Sequence, residues 1–389
     1  MIEGLREAVI VAYGRSAVAR SGKNGFLREM HPVDYAGTVL KSVLGKIPQL
    51  DINDIEDVIL GVSKPERVQS GCAGRVVAIR AGLPVSIPGQ SVSRLCASGL
   101  QAISIGANMI MTGQSDIIAA GGMESMSGIP LGYDPTAANK WIEENAPDLY
   151  IGMGLTAENV ADKYGVTREE MDAFALESHR KAAAAQDSGI FDTEIIPVEG
   201  TDLEGNKIIF DKDQGIRRDT SLEKLAGLKT VFKEGGKVTA GQASQTSDGA
   251  AFVVLMAREK AEELGIKPIA KFIAFAVTGV DPAMMGIGPI MAVPKVMKLA
   301  GLSVNDMDVI ELNEAFAAQA IPCINVLGLD KAKVNPHGGA IAMGHPLGAT
   351  GGVLTCKALN YLERTKGKYG LITMCIGGGQ GAAGIFERL

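Results

Sequence analysis

The protein has 389 residues and a mass of 40.6 kDa, with 46% hydrophobic and 21% charged residues. This length is enough for two or three domains with a buried core. The 38 basic and 44 acidic residues give a formal net charge of −6, and the absence of a basic block argues against nucleic-acid binding. Apolar runs such as 8–13 and 250–257 are shorter than the ~20 residues of a membrane span. The start of the chain lacks the apolar stretch of a secretory signal, so we expect a soluble, cytoplasmic protein.

The cysteines and histidines argue against a disulfide framework and against a zinc site. Five cysteines are an odd number and contain no C-x-x-C pair, which is typical of reduced intracellular thiols. The four histidines show no zinc-ligand spacing, so we expect no metal. Glycine is abundant, with 49 residues, and its lack of a G-x-y period excludes collagen and indicates tight turns and close backbone approaches.

Taken in chain order, the predicted elements repeat after about 250 residues. Each copy has a short polar-to-apolar segment, then a run with helical period, then an apolar strand that ends in glycines. The three matching pairs of segments are 53–59 with 305–310, 100–111 with 353–362, and 116–122 with 370–379. This order predicts two copies of one α/β half-domain.

A segment of different character separates the two copies. Residues 123–241 are more polar, contain the single tryptophan, Trp141, and include a capping-box pattern in which Glu170 follows Thr167 by three residues. We therefore predict an N-terminal half formed by 1–122 plus 242–266, an inserted loop domain at 123–241, and a C-terminal half at 267–389. We expect the insertion to cover one end of the α/β core, where loops carry binding residues.

Cys96 is the first candidate for chemistry. It lies between a strand-like stretch at 90–92 and a helix predicted to begin near 97–99. The positive end of a helix dipole favours a thiolate, so this position suits a nucleophile. The alternative is a buried structural cysteine, which is the more common fate of that residue type.

The segment 335–351 contains five glycines, two prolines and two histidines directly before an apolar helix. Such backbone freedom is useful where the main chain approaches a ligand closely. His345 holds the position in the second copy that Cys96 holds in the first, so packing of the halves about a pseudo-twofold axis would bring these residues together. The alternative is a surface loop with two solvated imidazoles.

Two further polar positions follow predicted strands. Cys375 ends the strand 371–375 before three glycines, an arrangement that suits a second acid/base beside backbone N–H donors; the alternative is a buried strand cysteine. The G-x-G-x-x-G pattern at 379–384 is not a dinucleotide loop, because five residues follow it and leave no room for a helix. Asn313 and Glu314 follow the strand 309–312, where α/β proteins place site residues, although an asparagine there also suits a helix N-cap.

Four motifs together resemble the thiolases, and the resemblance extends over nearly the whole chain. They are Cys96-Ala-Ser-Gly, Asn313-Glu-Ala-Phe, Gly344-His-Pro and Cys375-Ile-Gly-Gly-Gly. The resemblance implies the α/β thiolase fold, in which two duplicated βαβαβαββ halves form five layers, αβαβα, with an inserted loop domain. It also implies a homodimer or homotetramer.

The resemblance further implies roles for individual residues. Cys96 would attack the 3-keto carbonyl and become an acyl-thioester, and His345 would take its proton. Cys375 would protonate the departing acetyl-CoA carbanion and then deprotonate the incoming coenzyme A (CoA). His345 with a water held by Asn313 would form one oxyanion hole, and the N–H groups of Cys96 and Gly377 would form the other.

Coenzyme A is expected as a substrate, with no permanently bound cofactor. By resemblance, Arg217, Phe232 and Ser244 would bind CoA; a surface ion pair for Arg217 and a core position for Phe232 are the alternatives. The acyl end would be lined by three apolar residues for which ordinary core packing is the alternative. These are Met153, Met285 and Phe316.

Two positions depart from common thiolase patterns. Ser93 stands where many members have asparagine, and Gly152 stands where short-chain acetoacetyl-CoA thiolases have histidine. Flanking segments favour a degradative 3-ketoacyl-CoA thiolase, with an acetoacetyl-CoA thiolase as the alternative. More distant alternatives are a ketoacyl synthase, a non-catalytic thiolase-like lipid-binding protein and an NAD dehydrogenase. Cys375 with its glycines argues against a ketoacyl synthase. The presence of both Cys96 and Cys375 argues against a non-catalytic protein, and the glycine run at the end of the chain argues against an NAD dehydrogenase.

Overall fold

A computed structural model describes residues 4–132 and 135–389. The strands are β1 (Ala8–Arg15), β2 (Ala19–Arg20), β3 (Asp57–Gly61), β4 (Gly89–Val92), β5 (Ile117–Ser125), β6 (Val198–Thr201), β7 (Lys207–Phe210), β8 (Ser247–Ala257), β9 (Ala270–Gly279), β10 (Val309–Leu312), β11 (Tyr369–Ile376) and β12 (Gln380–Arg388). The α-helices are α1 (Pro32–Leu44), α2 (Ala73–Arg80), α3 (Ser98–Met111), α4 (Lys140–Asn145), α5 (Met153–Tyr164), α6 (Arg168–Asp187), α7 (Leu222–Ala226), α8 (Arg258–Glu263), α9 (Gly288–Ala300), α10 (Ala317–Leu327), α11 (Ala340–Met343) and α12 (Leu347–Thr365).

The two halves have the same strand order, which confirms the predicted duplication. The first half forms the sheet β1-β8-β5-β3-β4, and the second forms β9-β12-β11-β10. In the first half β4 pairs with β3 in parallel. At the corresponding position of the second half, Val334 forms an isolated parallel bridge with Ile310 of β10. The helices also correspond, because α1, α2 and α3 follow the successive strands of the first half as α9, α10 and α12 do in the second. Strands β1 and β9 join the half-sheets through a short antiparallel pairing.

Alternating side chains of each half-sheet pack into different layers. Val58 and Leu60 of β3 pack in an outer apolar cluster with α1 and α2, whereas Ile59 packs in the central cluster. In the second half Ile310 packs in an outer cluster with α9 and α10, and Val309 packs in the central one. Because the central cluster contains residues of both half-sheets and of α3 and α12, the layers are helix, sheet, helix pair, sheet and helix.

Helices α3 and α12 cross at a distance that only glycine permits. A Cβ on Gly99 would lie 2.8 Å from the Gly348 carbonyl oxygen, and one on Gly351 would lie 2.2 Å from the Leu100 nitrogen. Such distances are shorter than van der Waals contact, so a larger residue would force the helices apart. The close crossing brings the N-terminal ends of the two helices, one from each half, to the same place. Those ends follow Cys96 and His345 directly.

The insertion lies between β5 and β8 of the first half. It contains α4 to α7 and the hairpin β6–β7, and the predicted capping box of Thr167 and Glu170 is present at the start of α6. Strand β5 continues to Ser125, past the boundary predicted at residue 122, and β8 begins at Ser247. In the second half a glycine turn at 377–379 joins the equivalent strands β11 and β12, so the turn and the insertion hold equivalent topological positions.

One helical stretch among the described residues is long and apolar enough to cross a membrane, by length and composition only. It is Pro282–Ala300, and half of its most apolar window is buried inside the protein. Its helix α9 packs against β9 and β12 through residues that include Val293 and Val296. A core helix meets the same criterion, so this stretch does not by itself indicate a membrane segment.

Candidate active site

Cys96 lies in a single turn, Leu95–Ala97, that directly precedes α3. Ser98 shapes this turn, since its hydroxyl donates to the Leu95 carbonyl at 2.6 Å and accepts from the Arg94 N–H at 2.9 Å. The backbone N–H groups of Gly377 and of Cys96 itself point at the thiol and favour its charged form. Burial outweighs them and raises the pKa of Cys96 to about 11. The expectation that the helix terminus would favour a thiolate is therefore wrong for the resting protein, because desolvation of the sulfur is the larger effect.

His345 is held by both its backbone and its ring. Its N–H donates to the Gln245 carbonyl at 3.0 Å, which joins the Gly344-His-Pro segment to the strand leading into β8. Its Nδ1 lies 2.6 Å from the Thr350 hydroxyl, and that hydroxyl donates to the Pro346 carbonyl at 3.0 Å. Because the single hydroxyl proton is used on Pro346, the hydroxyl accepts from Nδ1–H, and Nε2 carries the lone pair. Nε2 faces the Asn313 side-chain amide at 3.3 Å.

The His345 imidazole is neutral in the resting protein. It is 5% exposed, and burial lowers its pKa to about 4. A neutral ring whose Nε2 is unprotonated at pH 7 can act as a general base. The site therefore holds an uncharged thiol and an uncharged imidazole.

Asn313 and Glu314 follow β10, as predicted. The Asn313 N–H donates to the Thr373 carbonyl of β11, and its Oδ1 is buried without a hydrogen-bond partner among the described residues. Asn313 does not cap a helix, because α10 begins at Ala317. The buried carboxylate of Glu314 accepts hydrogen bonds from three groups that fix the glycine-rich segment against α6. They are Ser178 at 2.6 Å, Asn335 at 2.8 Å and the Ile341 N–H at 3.3 Å.

Cys375 lies near the end of β11 and is 1% exposed. Burial raises the pKa of its thiol well above the ordinary value, and a negative charge on the Cys96 sulfur would raise it further. The glycine turn brings the two thiols to one place, because the N–H of Gly377, two residues after Cys375, points at the Cys96 sulfur. The glycine run after Cys375 forms a turn in which Gly378 and Gly379 have φ of +74° and +79°, and the chain then enters β12. The run leads to a strand and not to a helix, in agreement with rejection of a dinucleotide loop.

The predicted acyl-lining residues lie around Cys375 and the glycine turn that follows it. Met285, Phe316 and Cys375 belong to one buried apolar cluster, and Met153 packs against it. The Met153 sulfur lies 3.5 Å from where a Cβ on Gly377 would be. Burial of Met285 and Phe316 also agrees with the alternative of core packing, so their contact with an acyl group stays a prediction.

The residues predicted to bind CoA are divided between two places. Phe232 is partly exposed and meets Phe316 edge to face, with ring centroids 5.9 Å apart. The Ser244 N–H donates to the Ala315 carbonyl at 2.9 Å. Arg217 is exposed, makes no salt bridge with any described residue, and lines a separate cavity of about 230 Å³. Gln245 lines the same cavity, so the cavity adjoins the segment that holds His345.

Some residues at the site were missed by sequence reasoning. Thr350 fixes the His345 ring, Leu95 and Leu149 flank the glycine turn, and Glu124 accepts hydrogen bonds near both catalytic segments. Thr350 lies in the glycine-rich segment that was singled out, but its side-chain contact leaves no trace in the sequence pattern. The second histidine there, His337, packs between Phe191 and Tyr361 and is not bonded to Asn313.

Comparison with known proteins gives consistent similarities. The chain matches the family models "Thiolase, N-terminal domain" over residues 8–259 and "Thiolase, C-terminal domain" over residues 266–388. It is 47% identical over 391 residues to the 3-ketoacyl-CoA thiolase of Bacillus subtilis (strain 168), which covers 98% of this chain and 100% of that protein. The crystal structure of the Bacillus anthracis acetyl-CoA acetyltransferase superposes with a TM-score of 0.92 at 38% identity, covering 99% and 100% of the two chains. The structure of human mitochondrial 3-ketoacyl-CoA thiolase gives 0.90 at 35% identity, covering 99% of each chain.

Proposed function

This chain belongs to the thiolase family, and we propose that it cleaves 3-ketoacyl-CoA with CoA to give acyl-CoA and acetyl-CoA. One observation carries the assignment of roles. The glycine turn after Cys375 places the Gly377 N–H at the sulfur of Cys96, which comes from the other half, and the glycine-rich segment holds a fixed neutral histidine, His345. A carbon–carbon cleavage that passes through an acyl-enzyme needs such a set of nucleophile, base and second acid.

In the first half-reaction Cys96 attacks the 3-keto carbonyl while Nε2 of His345 accepts its proton. Both groups are neutral beforehand, so charge develops only as the carbon–sulfur bond forms. The N–H groups of Cys96 and Gly377 are already aimed at the sulfur, where they can donate to the oxyanion of the attacked carbonyl. Donors fixed in this way cost no reorganisation in the transition state, and the loss of one typically costs about 10²–10³ in rate.

Cys375 serves the leaving group. Its raised pKa keeps it protonated, so it can protonate the acetyl-CoA carbanion as the carbon–carbon bond breaks. It then takes the proton of the incoming CoA thiol, which attacks the Cys96 thioester; the carbon–sulfur bond to Cys96 breaks, and the Cys96 thiolate recovers its proton from His345. While acetyl-CoA leaves, His345 and a water held by Asn313 stabilise the oxygen of its enolate. The Asn313 Oδ1 is buried and has no hydrogen-bond partner among the described residues, which supports a water at that point.

For the nucleotide end of CoA we propose Arg217, and for pantetheine Phe232 and Ser244. An exposed guanidinium that lines a cavity and makes no salt bridge with any described residue suits a phosphate. Phe232 offers an apolar wall beside Phe316. Met153 and Phe316 would then face the acyl end.

The degradative reaction is favoured over acetoacetyl-CoA synthesis. The relative with 47% identity is named 3-ketoacyl-CoA thiolase. In addition, Gly152 stands where short-chain acetoacetyl-CoA thiolases have histidine, and a Cβ there would meet no atom within 4 Å. The second candidate, an acetyl-CoA acetyltransferase, is supported by the fold similarity to the Bacillus anthracis enzyme.

The test compares kcat/KM for thiolysis of acetoacetyl-CoA and of a series of longer 3-ketoacyl-CoA substrates. A flat or rising series supports the degradative reaction, and activity on acetoacetyl-CoA alone would overturn it. Cys96→Ala is expected to abolish turnover, whereas Cys375→Ser should retain slow acyl transfer to Cys96. Wild-type turnover by Cys96→Ala would refute the mechanism. Mass spectrometry of the protein mixed with a 3-ketoacyl-CoA tests the non-catalytic alternative, since an inert protein would form no acyl-thioester on Cys96.

We also propose that the protein works as a homodimer or as a homotetramer built from dimers. Strand β4 is an edge strand with one described neighbour, and the adjacent surface exposes Val76, Ile79 and Val85, the last of these 83% exposed. An open edge beside apolar side chains suits pairing with a second copy. Sedimentation velocity tests this, and a monomer at micromolar concentration would refute it.

Finally, we propose action in the cytoplasm. All five cysteines are free thiols, and two of them are assigned chemistry that needs the reduced form. Cell fractionation tests this, and recovery in an oxidising compartment would contradict it.

A further inference from the structure

Glu124 is a buried carboxylate to which the mechanism above gives no role. It lies near the end of β5 and is 1% exposed. Its carboxylate accepts hydrogen bonds from neutral donors, and it has no salt-bridge partner among the described residues. Burial raises its pKa, and the donors around it oppose that effect. A buried carboxylate is costly unless its hydrogen bonds are made, so its presence calls for an explanation.

One carboxylate oxygen of Glu124 bonds to segments of both halves. Oε2 accepts from the Gly348 N–H at 2.7 Å, in the first turn of α12 and three residues after His345. The same oxygen accepts from the Ser63 N–H at 2.9 Å, just after β3. Oε1 accepts from the Gln69 side chain at 2.7 Å.

The bond to Ser63 continues to the Cys96 segment. The Ser63 carbonyl accepts from the Ser93 hydroxyl at 2.8 Å, and Ser93 precedes Cys96 by three residues. Glu124 is thus linked in one direction to the residues after His345 and in the other to the residues before Cys96. Both links are short and made of hydrogen bonds, so a displacement of Glu124 would be transmitted to both catalytic segments.

Steric contacts at Gly348 show that the start of α12 packs closely against Glu124 and Ser63. A Cβ on Gly348 would lie 2.7 Å from Oε2 of Glu124 and 2.7 Å from the Ser63 nitrogen. One on Gly122 would lie 2.1 Å from the Gly348 carbonyl oxygen. The start of α12 therefore rests directly on the end of β5, with the Glu124 carboxylate at the contact.

We propose that Glu124 is a positioning residue, which holds the Cys96 and His345 segments of the two halves in register through its carboxylate. The proposal rests on the thiolase function proposed above. Two ionisable groups face this carboxylate, the Tyr35 hydroxyl, which donates to the Glu124 carbonyl, and the Cys96 thiol. The charge of Glu124 also raises the pKa of the Cys96 thiol, so the same residue influences the sulfur electrostatically.

The test is Glu124→Gln in the full-length protein. An amide has one oxygen and one NH₂ group where the carboxylate has two oxygens, so either the Gln69 side chain or the Ser63 and Gly348 N–H groups face a donor. In either orientation the remaining bonds lose the negative charge of their acceptor. Loss of a hydrogen bond to a charged group predicts a fall in kcat of about 10- to 100-fold. The KM for CoA should stay within about twofold, because the cavity lined by Arg217 is not in contact with Glu124.

A second measurement separates positioning from general damage. The rate of Cys96 alkylation by iodoacetamide is followed against pH, with the modified peptide identified by mass spectrometry. Removing a negative charge that raises the thiol pKa should move this profile to lower pH. This measurement needs no turnover, so it also reports on Glu124 if the wild-type protein has no thiolysis activity and the proposed function fails.

Asp248→Asn is the matched control. Asp248 is a fully buried carboxylate on β8, paired with Ser125 of β5, and its side chain bonds to Ser127. Asparagine can keep both bonds, so we expect kcat within about twofold of wild type and an unchanged alkylation profile. Equal losses in the control and in Glu124→Gln would overturn the proposal, as would a kcat for Glu124→Gln within about twofold of wild type.

If Glu124→Gln does not fold, Ser93→Ala tests the same link. Ser93 is exposed, and the substitution removes only its hydroxyl bond to Ser63. We expect kcat to fall about 3- to 10-fold with a melting temperature within about 4 °C of wild type, in line with the loss of one neutral hydrogen bond. No change in kcat would overturn the proposal.

Discussion

Thr350→Val should slow catalysis without loosening substrate binding. Thr350 is 2% exposed, and its hydroxyl accepts the Nδ1–H of His345 at 2.6 Å. Valine has nearly the same shape but no acceptor, so the N–H loses its partner inside the protein. The imidazole can then change its tautomer, with the proton on Nε2 instead of Nδ1. In that tautomer Nε2 cannot accept the proton of Cys96.

The expected magnitude follows from the cost of an unsatisfied buried donor. That cost is about 1–3 kcal/mol, which corresponds to about 5- to 150-fold in rate. The bond from Nδ1–H becomes stronger when His345 takes up a proton, because a charged donor makes the stronger hydrogen bond. The loss should therefore appear in kcat more than in the KM for CoA.

Thr355→Val supplies the matched control. Thr355 lies on the same helix, is fully buried, and donates to the Gly351 carbonyl at 2.7 Å as Thr350 donates to Pro346. It has no bond to His345, so it reports the cost of removing a helical hydroxyl alone. Thr350→Ser should recover most of the activity. Initial rates of CoA consumption with acetoacetyl-CoA measure the effect, and equal kcat values for the two valine variants would refute the reasoning.

Three other outcomes are expected. Arg217→Ala should raise the KM for CoA about tenfold with kcat unchanged, whereas Arg218→Ala, which removes a bond to Asp187, should leave both unchanged; a fall in kcat alone would contradict this assignment. Gly99→Ala should lower the free energy of unfolding by about 1–3 kcal/mol in urea denaturation, and Gly152→Ala, with open space around it, should not. Alkylation of Cys96 should rise about tenfold per pH unit from pH 7 to about 10, because its pKa is about 11; a plateau near pH 7 would show a thiol ionised by another group.

Several local features of the fold could be predicted closely. The strand predicted at 309–312 is β10, and the capping box at Thr167 begins α6. These predictions succeed because alternation of apolar residues and capping chemistry act between near neighbours in the chain. The position of Cys96 just before α3 was likewise readable from its flanking residues.

Other features depended on atoms far away in the sequence. The pKa of Cys96 was expected to fall and instead rises, because folding buries the sulfur and brings the charge of Glu124 near it. The helix expected to be capped by Asn313 begins later, and the buried Asn313 side chain turns to His345. Likewise, nothing in the pattern of the sequence joins Glu124 to Gly348.

The amino-acid sequence by itself determined that there are two similar halves, and it marked the cysteines, the histidine and the glycine turn as the chemical residues. Only the tertiary structure decided how these groups meet and which of them carry protons at rest. The reason is physical. Apolar periodicity is set by residues a few positions apart, whereas the charge state of a thiol or an imidazole depends on burial and on dipoles that folding brings together across hundreds of residues.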